Sequence, residues 1–328
     1  MKFQTIDCAQ LDFEDTTFLM SYPVKAPQVI ASVGTIGVLQ PIIVSGCACH
    51  GKYQIVAGFR RAYACREIGL PVIQANIHPI EPDARLSAFL MALYENLAHR
   101  RFNDVEKALI LHKLRHEFEC PPDEILQGYM PMLHLASNEK VLDIYLKLAG
   151  FEEELKQYIA EHEMPLTILE LLATLPDADR RAVFPLLSRL KLGLNKLKEL
   201  LTELDEIALR DSCTIQQILN EESFQRVMND ESRPGPQKIE QIRQLVRKKR
   251  FPHFTQVEQA YHESLKSLHL SQGIQLQTDR FFEDDRLTAT FRFSTPEQLR
   301  TTAEELLRLS EKAELQNVLG IIQGVTEI

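Results

Sequence analysis

The sequence predicts an α+β protein dominated by helix: a small α/β N-terminal domain, an all-helical middle and a small αββα C-terminal domain. Three observations carry that reading. Several long segments repeat apolar residues at every third or fourth position, and glycine is sparse, at 13 of 328 residues. Short apolar runs between turn-forming residues mark strands near both ends of the chain. A length about twice that of a typical domain asks for two or three domains. The 45% hydrophobic and 25% charged fractions are those of a globular chain and exclude wholesale disorder.

In chain order, residues 38–44 (VLQPIIV) and 53–57 (YQIVA) read as short buried strands around a turn-prone SGCACHGK. The second runs into Gly58, after which RAYACREIG has helical apolar spacing, stopped by Gly69 and Pro71. Residues 71–80 form a third strand, and helical patterning returns from Asp83 to Ala98. Asn103 and Glu106 have capping-box form, predicting a helix from about Asp104 to Phe118. Residues 1–119 are therefore one α/β domain.

Residues 120–230 read as helices near 122–128, 138–148, 151–162, 165–174, 177–191, 195–210 and 214–222. A basic linker at 231–254 opens on Glu231-Ser-Arg-Pro-Gly-Pro236. Residues 255–328 hold a helix to about 269, strands at 273–278 and 286–293, and a last helix from Pro296 to about Leu319. So small a unit leaves apolar faces uncovered and gains from pairing with a second copy.

The formal net charge of −9 is uneven: residues 1–119 are neutral, 120–232 carry −10 and 233–328 carry +1. Duplex-gripping proteins concentrate positive charge where they do so, and the middle third does the opposite. No run of 18 apolar residues occurs and the first residues are acidic, so neither a membrane span nor a secretory leader is expected. Six cysteines without framework spacing suggest reduced thiols in a cytoplasm.

Two segments carry chemistry. At the strand-to-helix junction, Gly58 permits close backbone approach, the helix start offers unpaired amides, and Arg60 and Arg61 offer guanidinium groups. These are the parts of an anion site, or else a turn with solvated arginines. At the end of the next helix, Glu95 and Asn96 could hold a hard divalent cation, with Arg100 and Arg101 beside them. The plainer reading is a polar helix end with cations near its negative pole.

Gly37-Val-Leu-Gln-Pro-Ile42, then Gly58-Phe-Arg-Arg-Ala-Tyr-Ala64, then Glu95-Asn-Leu97, then Asn103-Asp-Val-Glu106 resemble, in order and spacing, the motifs of the ParB N-terminal domain across residues 30–119. That resemblance implies a fold shared with sulfiredoxin and a cytidine-nucleotide site in which CTP with magnesium closes two protomers into a clamp on DNA. By position, Gly58, Arg60 and Arg61 would cradle phosphates, Glu95 and Asn96 would coordinate magnesium, and Gln40 would lie in the pocket. It also implies a homodimer and an ATPase or other protein partner, although the N-terminus lacks the short basic segment that often engages the ATPase.

Two departures matter. Phe59 stands where the family has a glutamate implicated in CTP turnover, and a phenyl ring can neither accept a proton nor orient water. Ala98-His99 replaces the family's Gln-Arg, so either the phosphate grip is weaker or Arg100, one place later, substitutes as a phosphate ligand. Nucleotide, if bound, is therefore expected to turn over slowly or not at all. A cysteine of the sulfiredoxin kind is missing at position 59, which disfavours a reductase; Cys65 lies on the apolar side of a helix.

For DNA, Asp123–Gln127 and Ser137–Leu148 look like a helix-turn-helix pair with Lys140 and Lys147 exposed, but the second helix holds as much acid as base and no arginine. Val141, Ile144, Leu146 and Leu148 would be its core residues. Arg243, Arg247, Lys248, Lys249 and Arg250 form the strongest basic cluster, either a sequence-independent DNA contact or a solvated linker. Cys47-Ala-Cys49-His50 lacks a second pair to complete a metal site. The expected function is a cytoplasmic, nucleotide-switched DNA-binding protein of chromosome or plasmid partition or maintenance, with association with the nucleoid as a further expectation. The alternatives are a nucleotide-binding adaptor for a protein partner, or an enzyme on the same fold, a nuclease or small-molecule kinase.

Overall fold

The computed structural model describes residues 2–46, 51–190, 192–271, 273–279 and 284–324. The Cys47–His50 segment lies outside them. The chain divides into two compact units, Met1–Lys198 and Glu199–Ile328.

The first unit is built on a five-stranded sheet in the order β1-β5-β3-β4-β2, from β1 (Lys2–Asp7), β2 (Leu11–Asp12), β3 (Ile42–Gly46), β4 (Tyr53–Ala57) and β5 (Val72–Ile77). β3 runs parallel to β5 and antiparallel to β4, with a register shift between Ile43 and Val44. Ile42, Val44, Ile55, Val56, Ile73 and Ala75 are buried along the central strands. Three elements escape the sequence reading: β1, β2 and a helix α1 (Pro27–Ile36) that starts on a proline at its first turn.

α2 (Phe59–Ile68) leaves β4 through Gly58, and ends at Gly69, whose positive φ lets Leu70 N–H reach the Cys65 carbonyl at 2.9 Å. α3 (Arg85–His99) follows, then α4 (Asp104–His116). The predicted capping box is present: Asn103 accepts from Glu106 N–H at 2.9 Å, and Glu106 accepts from Asn103 N–H at 3.0 Å. Such a cap contributes about 1 kcal/mol and fixes where α4 begins.

Helical turns run on from Pro122 to Met132, and α5 (Glu139–Ala149) is capped by Asn138, which accepts from Lys140 N–H. α5 packs on α4 through Val141, Leu142, Ile144, Tyr145 and Leu148; Leu146, expected in that core, is only half-buried. Leu142 and Tyr145 take its place because the inward face follows the three-to-four residue stride from Val141. Tyr145 also donates to Asp104 at 2.7 Å, tying α5 to the start of α4. α6 (Glu153–Glu161), α7 (Leu166–Thr174) and α8 (Asp177–Ser188) complete the unit.

α9 (Leu194–Asp211), whose residues from Glu199 onward belong to the second unit, precedes α10 (Ile215–Leu219) and α11 (Glu222–Asn229). The stretch read as a basic linker contains α12 (Gly235–Arg250), with Ile242 and Val246 buried on one face. α13 (Pro252–Ser267), an antiparallel hairpin of β6 (Ile274–Gln277) and β7 (Thr288–Phe291), α14 (Pro296–Ser310) and α15 (Ala313–Ile322) follow. The last helix of the sequence reading is thus two helices, broken at Glu311–Lys312. Tyr261, Leu268, Leu309, Val318, Ile321 and Ile322 form the small core here. Among the described residues no helix is long and apolar enough to cross a membrane.

Candidate functional site

A cavity of about 540 Å³ opens in the first unit where the C-terminal end of β4 meets the first turn of α2. That volume is of the size used by small-molecule sites. α1 and the following loop form one wall, and the end of α3 forms another. Gln40, Gly58, Arg60, Arg61, Glu95, Asn96 and Arg100 all line it. Seven residues separated by up to 60 positions in the chain are thereby brought to one hollow. Apolar side chains of α1 and the strand ends, Val29, Val33 and Val56 among them, line the remainder.

Gly58 sits at φ +92°, ψ +25°, a left-handed conformation. A Cβ there would lie 2.7 Å from Ile42 Cγ2 and 3.0 Å from Arg61 Nη2, so both backbone and space demand glycine. With no side chain at the cap, and with Arg61 N–H already on the Gly58 carbonyl at 3.0 Å, the Phe59 and Arg60 amides of α2 are left for another acceptor. Phe59, 4% exposed, lines the same cavity.

The arginines are held by the chain's own oxygens. Arg60 Nη2 donates to Glu106 Oε1 at 3.0 Å and to the Tyr22 carbonyl at 3.2 Å, and its Nε to the Pro23 carbonyl. Arg100 Nη1 donates to both Glu106 oxygens at 2.7 Å. Arg61 Nη1 donates to the Gln40 and Pro41 carbonyls at 2.7 and 3.1 Å, and its Nη2 faces Glu95 at 3.5 Å. Burial lowers the pKa of Arg60 and Arg61, against the opposing pull of Glu106 and Glu95 respectively; Arg100 adds to the lowering at Arg60. Both remain cations.

Glu106 is the residue the sequence did not disclose. Read as a helix cap, it is 1% exposed and also accepts from Tyr22 N–H at 3.0 Å. One buried carboxylate therefore orders two guanidinium groups and the backbone at Tyr22. The only local signal was its place three residues after Asn103, which capping alone explains. Three arginines against Glu95 and Glu106 leave one net positive charge at the cavity.

Of the two expected cation ligands, Glu95 shares its carboxylate with Arg61, and Asn96 Oδ1 accepts from Arg100 Nε at 3.0 Å. One carboxylate with one amide oxygen is too few for an all-protein cage. It suits magnesium, which keeps waters and takes its remaining oxygens from substrate phosphates.

The expected DNA-contacting side chains are elsewhere and mostly paired. Lys140 bridges Glu170, and Lys147 bridges Asp143 at 2.9 Å. In the second unit Arg243 bridges Glu199 at 3.1 Å, and Arg250 bridges Glu203 and Glu206, so α12 is clamped to α9. Lys249 bridges Glu221, and Arg247 stands 3.7 Å from Glu258. Lys248 is exposed.

Residues 23–97 match the family model of the ParB N-terminal domain. A probable chromosome-partitioning protein ParB of Pseudomonas putida is 33% identical over 103 residues, 31% of this chain and 34% of that protein. That of Neisseria meningitidis is 31% identical over 151 residues, 45% and 49% of the two chains. The chain thus spans about a third to a half of the length of these relatives. The C-terminally truncated ParB of Caulobacter crescentus, solved with CTP-gamma-S, is 21% identical and covers 56% of this chain and 97% of its own, with a TM-score of 0.24. That superposition is too poor to bear on fold or ligand.

Proposed function

We propose that this protein is a ParB-type DNA-binding protein of chromosome or plasmid partition or maintenance, switched by a cytidine nucleotide. The convergence of Gln40, Gly58, Arg60, Arg61, Glu95, Asn96 and Arg100 on one cavity carries the reading, within a segment that matches the ParB N-terminal domain. The names of the relatives support the partition role.

Phosphate oxygens would take the uncapped amides of α2 together with Arg60, Arg61 and Arg100. Gln40 and the apolar wall of α1 would face the nucleoside. Glu95 and Asn96 would hold magnesium, which neutralises triphosphate charge when bound. Arg61 would exchange Glu95 for a phosphate oxygen, freeing that carboxylate. Because Arg60 and Arg100 share Glu106, and α4 carries α5 on its face, occupancy of the cavity would be felt at the 122–149 helix pair. In this reading that pair, with Lys140 and Lys147, and the outward residues Arg247 and Lys248 of α12 are the DNA-contacting elements, Arg243, Lys249 and Arg250 being engaged by carboxylates of the same unit, and two copies form the clamp.

Glu95 is the only carboxylate in the described lining, and Phe59 is buried, so the bound nucleotide would turn over slowly or not at all. The decisive experiment is a DNA titration over a salt series with and without CTP and magnesium. The proposal expects a negative slope of log K on log salt, and a nucleotide-dependent change lost in Arg61→Ala. No DNA binding, with CTP binding intact, would favour the adaptor reading instead.

A further inference from the structure

The second unit contains a separate basic cavity of about 620 Å³ between α11, α12 and α13. Arg226, Arg233, Arg247 and Lys248 line it, against a single carboxylate, Glu258. Their restraints are weak. Arg226 pairs with Glu222 one turn away with both side chains exposed, and Arg233 pairs with Asp230 across a turn. Exposed local pairs of this kind are worth under about 1 kcal/mol and yield to a stronger anion. Arg247 meets Glu258 only at 3.7 Å, and Lys248 has no carboxylate within salt-bridge distance among the described residues. Even with Glu222 and Asp230 counted, four cations face three carboxylates.

The basic cluster on α12 is therefore two populations. Arg243 and Arg250 point to α9 and hold the unit together, whereas Arg247 and Lys248 turn to the cavity, where α11 and the following turn add Arg226 and Arg233. Gln241 lines the same cavity with its amide oxygen buried and without a hydrogen-bond partner. A neighbouring cavity of about 420 Å³ shares Ser223, Leu245 and Lys248 with this groove, and there Arg210 and Lys249 stand against Asp211 and Glu221.

We propose that this groove seats the phosphodiester backbone of nucleic acid, with Arg226, Arg233, Arg247 and Lys248 as its phosphate ligands. Four cations spaced along one groove, drawn from α11, the turn after it and α12, suit neighbouring phosphates, read without regard to sequence. The inference rests on the DNA-binding half of the proposed function but not on its nucleotide switch.

The test uses the full chain without nucleotide and a labelled duplex of scrambled sequence, titrated by fluorescence anisotropy over a salt series. Each phosphate contact contributes about 0.9 to the log–log slope. The double variant Arg226→Gln/Arg233→Gln should lower the slope by about 1 to 2, and Lys248→Gln by about 1, with equal loss on any sequence. Unchanged slope and affinity in both variants, or no duplex binding by the parent chain, would overturn the proposal. Calorimetry with inorganic phosphate and CTP on an Arg60→Ala background separates the sources. Saturable binding lost in the double variant, with duplex affinity untouched, would reassign the groove to a free phosphate. CTP binding to the otherwise unaltered chain should survive the double variant. Should CTP fail to bind the parent while the duplex results hold, the groove stands and the nucleotide reading falls.

Discussion

Replacing Glu106 by glutamine tests whether one carboxylate organises the cavity. The side chain is 1% exposed and accepts from Arg60, from Arg100 twice, and from Tyr22 and Asn103 N–H. Glutamine preserves the shape and one acceptor oxygen, so the cap on α4 survives. The charge that two guanidinium groups face is lost, and the amide NH₂ is turned toward donors. Removing one partner of a buried ion pair costs about 3–5 kcal/mol. Arg60 and Arg100 keep 26% and 23% of their side-chain exposure, so water recovers part of the loss. The expected cost is therefore about 2–3 kcal/mol, read as a lower urea midpoint at unchanged m. In a unit of this size it lowers the melting temperature by roughly 5–10 °C. A loss below about 0.5 kcal/mol would refute the role assigned to Glu106.

Other outcomes follow from the same geometry. Gly58→Ala forces a Cβ against Ile42 at positive φ, and should destabilise by at least about 2 kcal/mol in urea while abolishing CTP binding. Glu95→Gln should weaken CTP binding about tenfold in magnesium and much less in EDTA, by calorimetry. Phosphate release from CTP should stay at background in the parent chain, since Phe59 supplies no base. The Cys65 thiol is pushed up to about 11 by burial and by Cys8 beside it. Its raised folded pKa means full stability below the unfolded value of 9.0 and loss between there and about 11, visible as a falling melting temperature. At neutral pH, peptide mapping after alkylation should find Cys65 protected and the half-buried Cys213 modified.

The strand-to-helix junction at Gly58 was legible in the sequence because its signals are local: an apolar run ends at a glycine and helical spacing begins at once. The capping box at Asn103 was legible for the same reason: its parts are three residues apart. What depends on distant partners was not. β1 lies at the sheet edge with only Ile6 buried, so its residues carry no strand-like alternation. α1 is only half covered, with Val33 its one buried residue, and the helical period is faint. The second and third roles of Glu106 arise from Tyr22 and Arg60, 84 and 46 residues away. In the same way the charges of Arg243 and Arg250 read as a free basic patch until the fold places Glu199, Glu203 and Glu206 opposite them.

A calorimetric titration of CTP with magnesium into the full chain, repeated with Arg61→Ala, addresses the cavity most directly. Saturable binding near one nucleotide per chain, lost when the Arg61 guanidinium is removed, is the predicted result. Heats no larger than dilution for the parent, or identical isotherms for parent and variant, would contradict it.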